Sequence, residues 1–210
     1  MSRTTKEALN TAHEKVSYGI GRQMGSQLKG NDFKGINIEL VMAGLADAYE
    51  GVEDLVGVEE MSKAYTEIQA QIQKEVAAEA EANQKAGEDF LAANADREGI
   101  NVTESGLQYE VLTEGKGEIP EATSKVKTHY HGTFTDGRMF DSSVERGEPA
   151  TFPVNGVIRG WTEALTMMPV GSKWKLYIPS DLAYGSQGAS GSIPPNTALV
   201  FEVELLEIVE

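Results

Sequence analysis

The chain has 210 residues, room for one sizeable domain or a small domain with an appendage, and its 40% hydrophobic and 24% charged residues argue against disorder throughout. With 18 Lys+Arg against 33 Asp+Glu the net charge is −15, which argues against nucleic acid or an anionic membrane surface as a partner. The absence of cysteine excludes disulfides, a thiolate nucleophile and Cys-ligated metal.

In chain order, Met1-Ser-Arg-Thr-Thr-Lys6 opens onto an amphipathic pattern instead of a continuous apolar run. A secretory signal is therefore not expected, and the cytoplasm is the expected location. No later stretch approaches the roughly 20 apolar residues of a membrane span. Thr4 and Glu7 stand at capping-box spacing. Leu9, Ala12, Val16, Ile20, Met24 and Leu28 then recur every three or four residues, the apolar stripe of a first helix, and Gly30-Asn31 is its stop signal. Asn37 caps a second helix carrying Leu40, Val41, Leu45, Ala48 and Tyr49, with Gly51 behind it. A third helix is predicted from about Val58 to about Glu98, a rod of roughly 60 Å.

Between Glu75 and Lys85 that rod has good helix formers but almost nothing large to bury, the pattern of a helix bridging solvent between two folded bodies. The first two helices are too small to bury their own stripes. Two copies packed stripe to stripe would solve this, so a homodimer joined through residues 1–57 is expected. Gly19, Gly21 and Gly25 inside the first helix fit either close approach of two backbones or a helix that tolerates looseness.

All seven prolines, Pro120 to Pro195, and both tryptophans lie in the second half, which alternates and turns often. From Gly106 onwards Leu107-Gln-Tyr-Glu-Val-Leu-Thr113 reads as a strand. Gly115-Lys-Gly117 is a turn, since it lacks the frame of a phosphate loop. Lys125–Phe134 and Arg138–Ser143 form a hairpin about Thr135-Asp-Gly137. His129 and His131 share a strand face, but without further histidine or cysteine partners no metal is expected there. Glu148–Val154 is an edge strand interrupted by prolines, and Asn155-Gly156 leads into a short helix with Val157, Ile158, Trp161 and Leu165. Ser172–Ile178 and Ala198–Ile208 are strands on either side of a long Gly/Ser/Pro loop, of a length that is often functional. Ser190 in that loop lacks the frame and partners of a serine hydrolase.

Val157-Ile-Arg-Gly-Trp161, Tyr130 with Gly132, Phe140-Asp-Ser-Ser143, Ala183-Tyr-Gly185, Ile193-Pro-Pro195 and Leu199-Val-Phe-Glu-Val-Glu-Leu205 resemble the FKBP family of tacrolimus-binding peptidyl-prolyl isomerases. The match covers about residues 106–210. The helical front half is similar in organisation to the Mip-like bacterial branch, whose members form V-shaped homodimers. The resemblance implies an α+β chain with a helical dimerisation domain (1–57), a long connecting helix (58–99) and an isomerase domain (100–210). That last domain would be a twisted antiparallel sheet around one short helix.

It also implies catalytic roles for Asp141, Tyr184, Ile158, Trp161 and Phe201, and substrate contacts from Tyr130, Phe140, Phe152, Val157 and Ile193. Trp161 would be the floor, and Phe140, Phe201 and Tyr130 the walls gripping a proline ring. The Ile158 N–H and the Tyr184 hydroxyl would donate to substrate carbonyls, with Asp141 as the polar edge. No cofactor is implied. Ala150 and Ala189 depart from the family, which often has larger side chains there, and are expected to weaken binding of tacrolimus, rapamycin and short peptides. Unfolded or proline-containing proteins are the expected partners. The alternative is a chaperone-like module that binds such segments without turnover; a purely structural scaffold would leave the aromatic set unexplained.

Overall fold

The computed structural model describes residues 5–30, 35–189 and 191–209. Thr4, Asn31 and Ser190 lie outside the described residues. The chain divides into two compact units, Met1–Lys63 and Ala64–Glu210.

In the first unit a turn of 3-10 helix, Lys6–Ala8, precedes α1 (Ala12–Gly30) and α2 (Ile38–Glu50). The start of α1 corrects the expectation built on Thr4 and Glu7. Its reciprocal capping box uses Thr11 and Glu14, and Leu9 stands ahead of the helix. The Glu14 N–H donates to Thr11 Oγ1 at 3.2 Å, while Glu14 Oε2 accepts from the N–H groups of Asn10 and Thr11 at 2.9 and 2.7 Å. Donors that a helix start leaves orphaned are thereby satisfied. The second helix starts where its sequence indicates: Asn37 Oδ1 accepts from the N–H groups of Glu39 and Leu40, and Gly51 closes it in the left-handed conformation. The apolar stripes are left exposed, from Val16, Ile20 and Met24 on α1 to Leu40 and Leu45 on α2.

Helix α3 (Val58–Ala95) is continuous, and its residues from Ala64 onwards belong to the second unit. Most of residues 75–85 are exposed as the composition indicates, but from Asn83 onwards the helix is docked on the rest of the second unit. Asn83, Gly87, Phe90, Leu91 and Asn94 fall on one face at steps of three or four and are wholly or partly buried. Asn94 donates to Gln108 Oε1 at 2.8 Å, Gln108 donates to the Leu91 carbonyl at 2.9 Å, and the Phe90 and Tyr177 rings lie 6.1 Å apart.

Among the described residues seven strands form one antiparallel sheet: β1 (Ile100–Val102), β2 (Gln108–Thr113), β3 (Lys125–Phe134), β4 (Met139–Ser142), β5 (Ala150–Pro153), β6 (Lys173–Ile178) and β7 (Leu199–Val209). Their order is β1-β2-β6-β7-β3-β4, with β5 paired to the first half of β3. The three-residue β1 is not visible as a separate strand in the sequence. Along β3 the pleat sends Val126, Thr128, Tyr130 and Gly132 inwards, and His129 and His131 to the other face.

One helical turn, α4 (Ser143–Arg146), follows β4, and α5 (Arg159–Leu165) packs into the core. A Cβ on Gly160 would lie 2.6 Å from Ile178 Cγ2, so the absent side chain lets α5 approach β6 closely. Trp161, Ala164 and Leu165 join Leu176, Ile178, Phe201 and Val203 in one buried cluster.

Candidate active site

The inward residues of β3, the return strand β4, the start of α5 and the segment after β6 enclose an open cleft of about 400 Å³. Nine of the ten residues expected from the sequence line it: Tyr130, Phe140, Asp141, Phe152, Val157, Ile158, Trp161, Tyr184 and Phe201, joined by Gly156. Ile193 is not on this wall. It is buried in the adjoining core and borders a separate groove beside residues 187–195. Ala150 and Ala189 are partly buried against the core and do not line the cleft.

Trp161 stands at the floor with only 4% of its surface exposed. Tyr130, Phe152 and Phe201 meet its ring edge-to-face at centroid distances of 5.4, 6.0 and 5.3 Å, and Phe140 meets Phe201 in the same way at 5.4 Å. Such perpendicular pairs place positive ring edges on negative faces and resist collapse of the cleft. Gly132 makes the wall possible: a Cβ there would lie 2.8 Å from both Phe140 Cζ and Phe201 Cε1.

The polar edge is a three-residue network. The Tyr130 hydroxyl donates to Asp141 Oδ2 at 2.5 Å, the Arg146 guanidinium donates to Asp141 Oδ1, and it also donates to the Tyr130 hydroxyl at 2.8 Å. Burial alone would raise the Asp141 carboxyl. The bonds from Tyr130 and Arg146, with the charge of Arg146, outweigh burial and hold it below its ordinary value. Tyr130 is pushed up, first by burial and then by its bond to Asp141. Arg146 was not singled out in the sequence. It sits on α4, which Ser142 caps by accepting from the Glu145 N–H at 3.2 Å and Gly147 ends in the left-handed conformation. That short turn carries the guanidinium back over the Tyr130 ring, 5.6 Å from its centroid.

Two donors remain at the mouth. The Ile158 N–H and the Tyr184 hydroxyl have no acceptor among the described residues. Burial, reinforced by the charge of Asp141, raises the Tyr184 phenol, so it stays a donor at neutral pH. On the opposite face His129 and His131 turn their Nδ1 atoms to Ser143 and Ser142 at 3.1 Å each. Among the described residues no group of three or more potential ligands is placed to hold a metal.

A sheet wrapped over one short helix, with an aromatic-lined cleft and a few fixed polar groups at its rim, has the make-up of a preformed small-ligand pocket. The family described as FKBP-type peptidyl-prolyl cis-trans isomerase matches residues 116–206, and the domain amino terminal to FKBP-type peptidyl-prolyl isomerase matches residues 13–111. The chain belongs to the FKBP-type peptidyl-prolyl cis-trans isomerases. It is 51% identical over 205 residues to the FKBP-type 22 kDa peptidyl-prolyl cis-trans isomerase of Escherichia coli (strain K12), covering 98% of this chain and 100% of that protein. It is 39% identical to the outer membrane protein MIP of Legionella longbeachae, covering 99% of this chain and 91% of that protein. The crystal structure of FkpA from Escherichia coli superposes with a TM-score of 0.69 at 34% identity, covering 96% of this chain and 98% of that one.

Proposed function

We propose that the chain accelerates cis–trans exchange of X-Pro bonds in unfolded proteins by stabilising the twisted imide without covalent chemistry, and that it works as a homodimer. Turning a peptide bond costs about 18–20 kcal/mol because the twist sacrifices resonance. The X-Pro bond populates both isomers but exchanges them over tens to hundreds of seconds. A catalyst needs only to favour the rotated imide over either planar form.

The observation that carries this reading is the set of perpendicular rings around Trp161, which lines an open cleft with room for a pyrrolidine ring. Apolar walls strip water from the imide carbonyl, whose charge separation stabilises the planar amide. The free Ile158 N–H and Tyr184 hydroxyl are the groups suited to hold the flanking carbonyls in the rotated geometry. Asp141, held ionised by its bonds from Tyr130 and Arg146, supplies a fixed negative edge beside the turning bond.

Dimerisation through α1 and α2 accounts for apolar stripes that are left exposed among the described residues. Gly19, Gly21 and Gly25 have nothing within 4 Å of where a Cβ would stand, leaving room for a second backbone. On this reading residues 1–57 assemble the dimer, 58–99 connect and 100–210 catalyse. The same cleft would take tacrolimus or rapamycin, competing with substrate. The expected cytoplasmic location has a counter-example in the name of the Legionella relative, and fractionation of the tagged full-length protein decides it.

A proline tetrapeptide isomerisation assay with and without rapamycin, beside light scattering for mass, tests the proposal. Rapamycin-sensitive turnover and twice the chain mass are expected. Turnover at the uncatalysed rate, or a monomeric mass, would remove the corresponding half.

A further inference from the structure

The segment between Tyr184 and β7 leaves the rim of the cleft, runs through a 3-10 turn (Gly185–Gln187), reverses at the Ala189–Ile193 bridge and returns through Pro194 and Pro195. Two backbone features make it a demanding path. Gly188 has φ +61, and a Cβ there would strike the Ile193 carbonyl oxygen at 2.3 Å. Asn196 has φ +54, a left-handed conformation that asparagine tolerates better than most non-glycine residues.

Asn196 is held chiefly by its peptide group, gripped at both ends; longer bonds from Asn196 Nδ2 to Gln84 Oε1 at 3.5 Å and from Thr197 Oγ1 to the Pro195 carbonyl at 3.4 Å stand beside it. The Asn196 N–H donates to the Gly185 carbonyl at 2.9 Å, tying the return of the loop to the residue after Tyr184. The carbonyl of the same peptide group, that of Pro195, accepts from Asn83 Nδ2 on α3 at 3.0 Å. Below this bond the helix is seated without slack. A Cβ on the buried Gly87 would lie 3.0 Å from the Ala198 Cβ, so an added methyl would press helix and strand apart by a few tenths of an ångström. Asn94 and Gln108 pin the next turns.

We infer that Asn83 is a positioning residue for the isomerase site: through the Pro195–Asn196 peptide group and Gly185 it fixes the loop that presents Tyr184 at the mouth of the cleft. This rests on the reading that the Tyr184 hydroxyl donates to substrate. The last third of α3 is on this account part of the catalytic apparatus as well as a connector. Hydrogen bonds in series polarise one another, so loss of the outer member loosens the inner one.

The test uses the full-length chain with Asn83→Ala and Asn83→Asp. Alanine is the better helix former and aspartate has the same shape without the N–H donor, so neither substitution removes the fold. Both are expected to lower kcat/KM on a proline tetrapeptide about fivefold, the worth of one net hydrogen bond. Both should also speed amide exchange at Asn196 while leaving Val203 in β7 protected. In a Tyr184→Phe background the loss should shrink below about twofold, the signature of a shared path.

Wild-type turnover in Asn83→Asp would overturn the inference, as would an undiminished loss in the Tyr184→Phe background. Full turnover in Tyr184→Phe alone would instead remove the assignment of Tyr184, and the Asn83 route with it.

Discussion

Helix α1 and helix α5 both carry large apolar side chains at helical spacing, and the chain treats them in opposite ways. On α1 Val16, Ile20 and Met24 are 63, 56 and 40% exposed, whereas Trp161 and Leu165 on α5 are 4 and 0% exposed. The difference lies in what faces each helix. The second unit offers α5 a twisted sheet, and each side chain buried there contributes about 1.5–3 kcal/mol. Among its described residues the first unit has no sheet to offer α1, and its other α-helix, α2, has 13 residues, a length at which an isolated helix is marginal in water. An apolar stripe without an internal surface implies an external one; a stripe that finds its surface can build a cavity instead. On the proposed function, assembly and chemistry fall at different ends of the chain.

The strongest way to break that division is to remove the floor of the cleft. Trp161→Ala deletes the ring that Tyr130, Phe152 and Phe201 lean on, and is expected to cost the sheet unit about 3–5 kcal/mol in chemical denaturation. Tetrapeptide turnover should be lost, while light scattering still reports a dimer. A monomeric mass for this variant would mean that the two ends are not independent.

The converse test places a charge on α1. Ile20→Asp should halve the mass and leave tetrapeptide kcat/KM within twofold, while protein refolding is accelerated less. In calorimetry of the parent chain a lower, concentration-dependent transition is expected from the helices and a higher one from the sheet unit. A single cooperative transition would contradict the separation.

A smaller effect is expected from Gly132→Ala. The added methyl must displace the Phe140 or Phe201 ring, an overpacking worth about 1–3 kcal/mol that should narrow the cleft and raise KM more than it lowers kcat. The smallest concerns pH. Because the folded Asp141 carboxyl lies below its ordinary value, its contribution to stability is present above the unfolded value near 3.9 and drains away as pH falls through the lower folded value. The pair with Arg146 is about half exposed, so this contribution is small. Turnover should be flat from pH 8 to about 5, and Arg146→Ala should move the acidic limb of the profile upwards.

Much of this arrangement can be read from residue order. Asn37 and Gly51 bracket α2 as their chemistry demands, the alternation of Lys125–Phe134 puts Tyr130 and His129 on opposite faces, and nine of the ten expected residues share one cleft. What escaped has identifiable causes. The three residues of β1 are too few to show a period. Arg146 reaches Asp141 only because a four-residue turn intervenes, and so short a turn leaves no periodic trace. Beside Phe90 and Leu91, the docked face of α3 consists of Asn83, Gly87 and Asn94, small or polar residues that look like solvent positions. They are held by hydrogen bonds and close backbone approach, which an apolar pattern does not reveal. Ile193 belongs to a recognisable motif, yet its side chain turns into the core instead of the cleft.

The division of labour stands or falls on where the imide turns. Asp141→Leu replaces the carboxylate at the rim with an apolar side chain and leaves the Trp161 ring cluster in place. Exchange spectroscopy on an X-Pro tetrapeptide, with the parent and this variant at equal concentration, measures the turning directly. In the variant, cis–trans exchange is expected to fall at least tenfold towards the uncatalysed rate while the dimer persists. Exchange at the parent rate would place the chemistry somewhere other than this cleft.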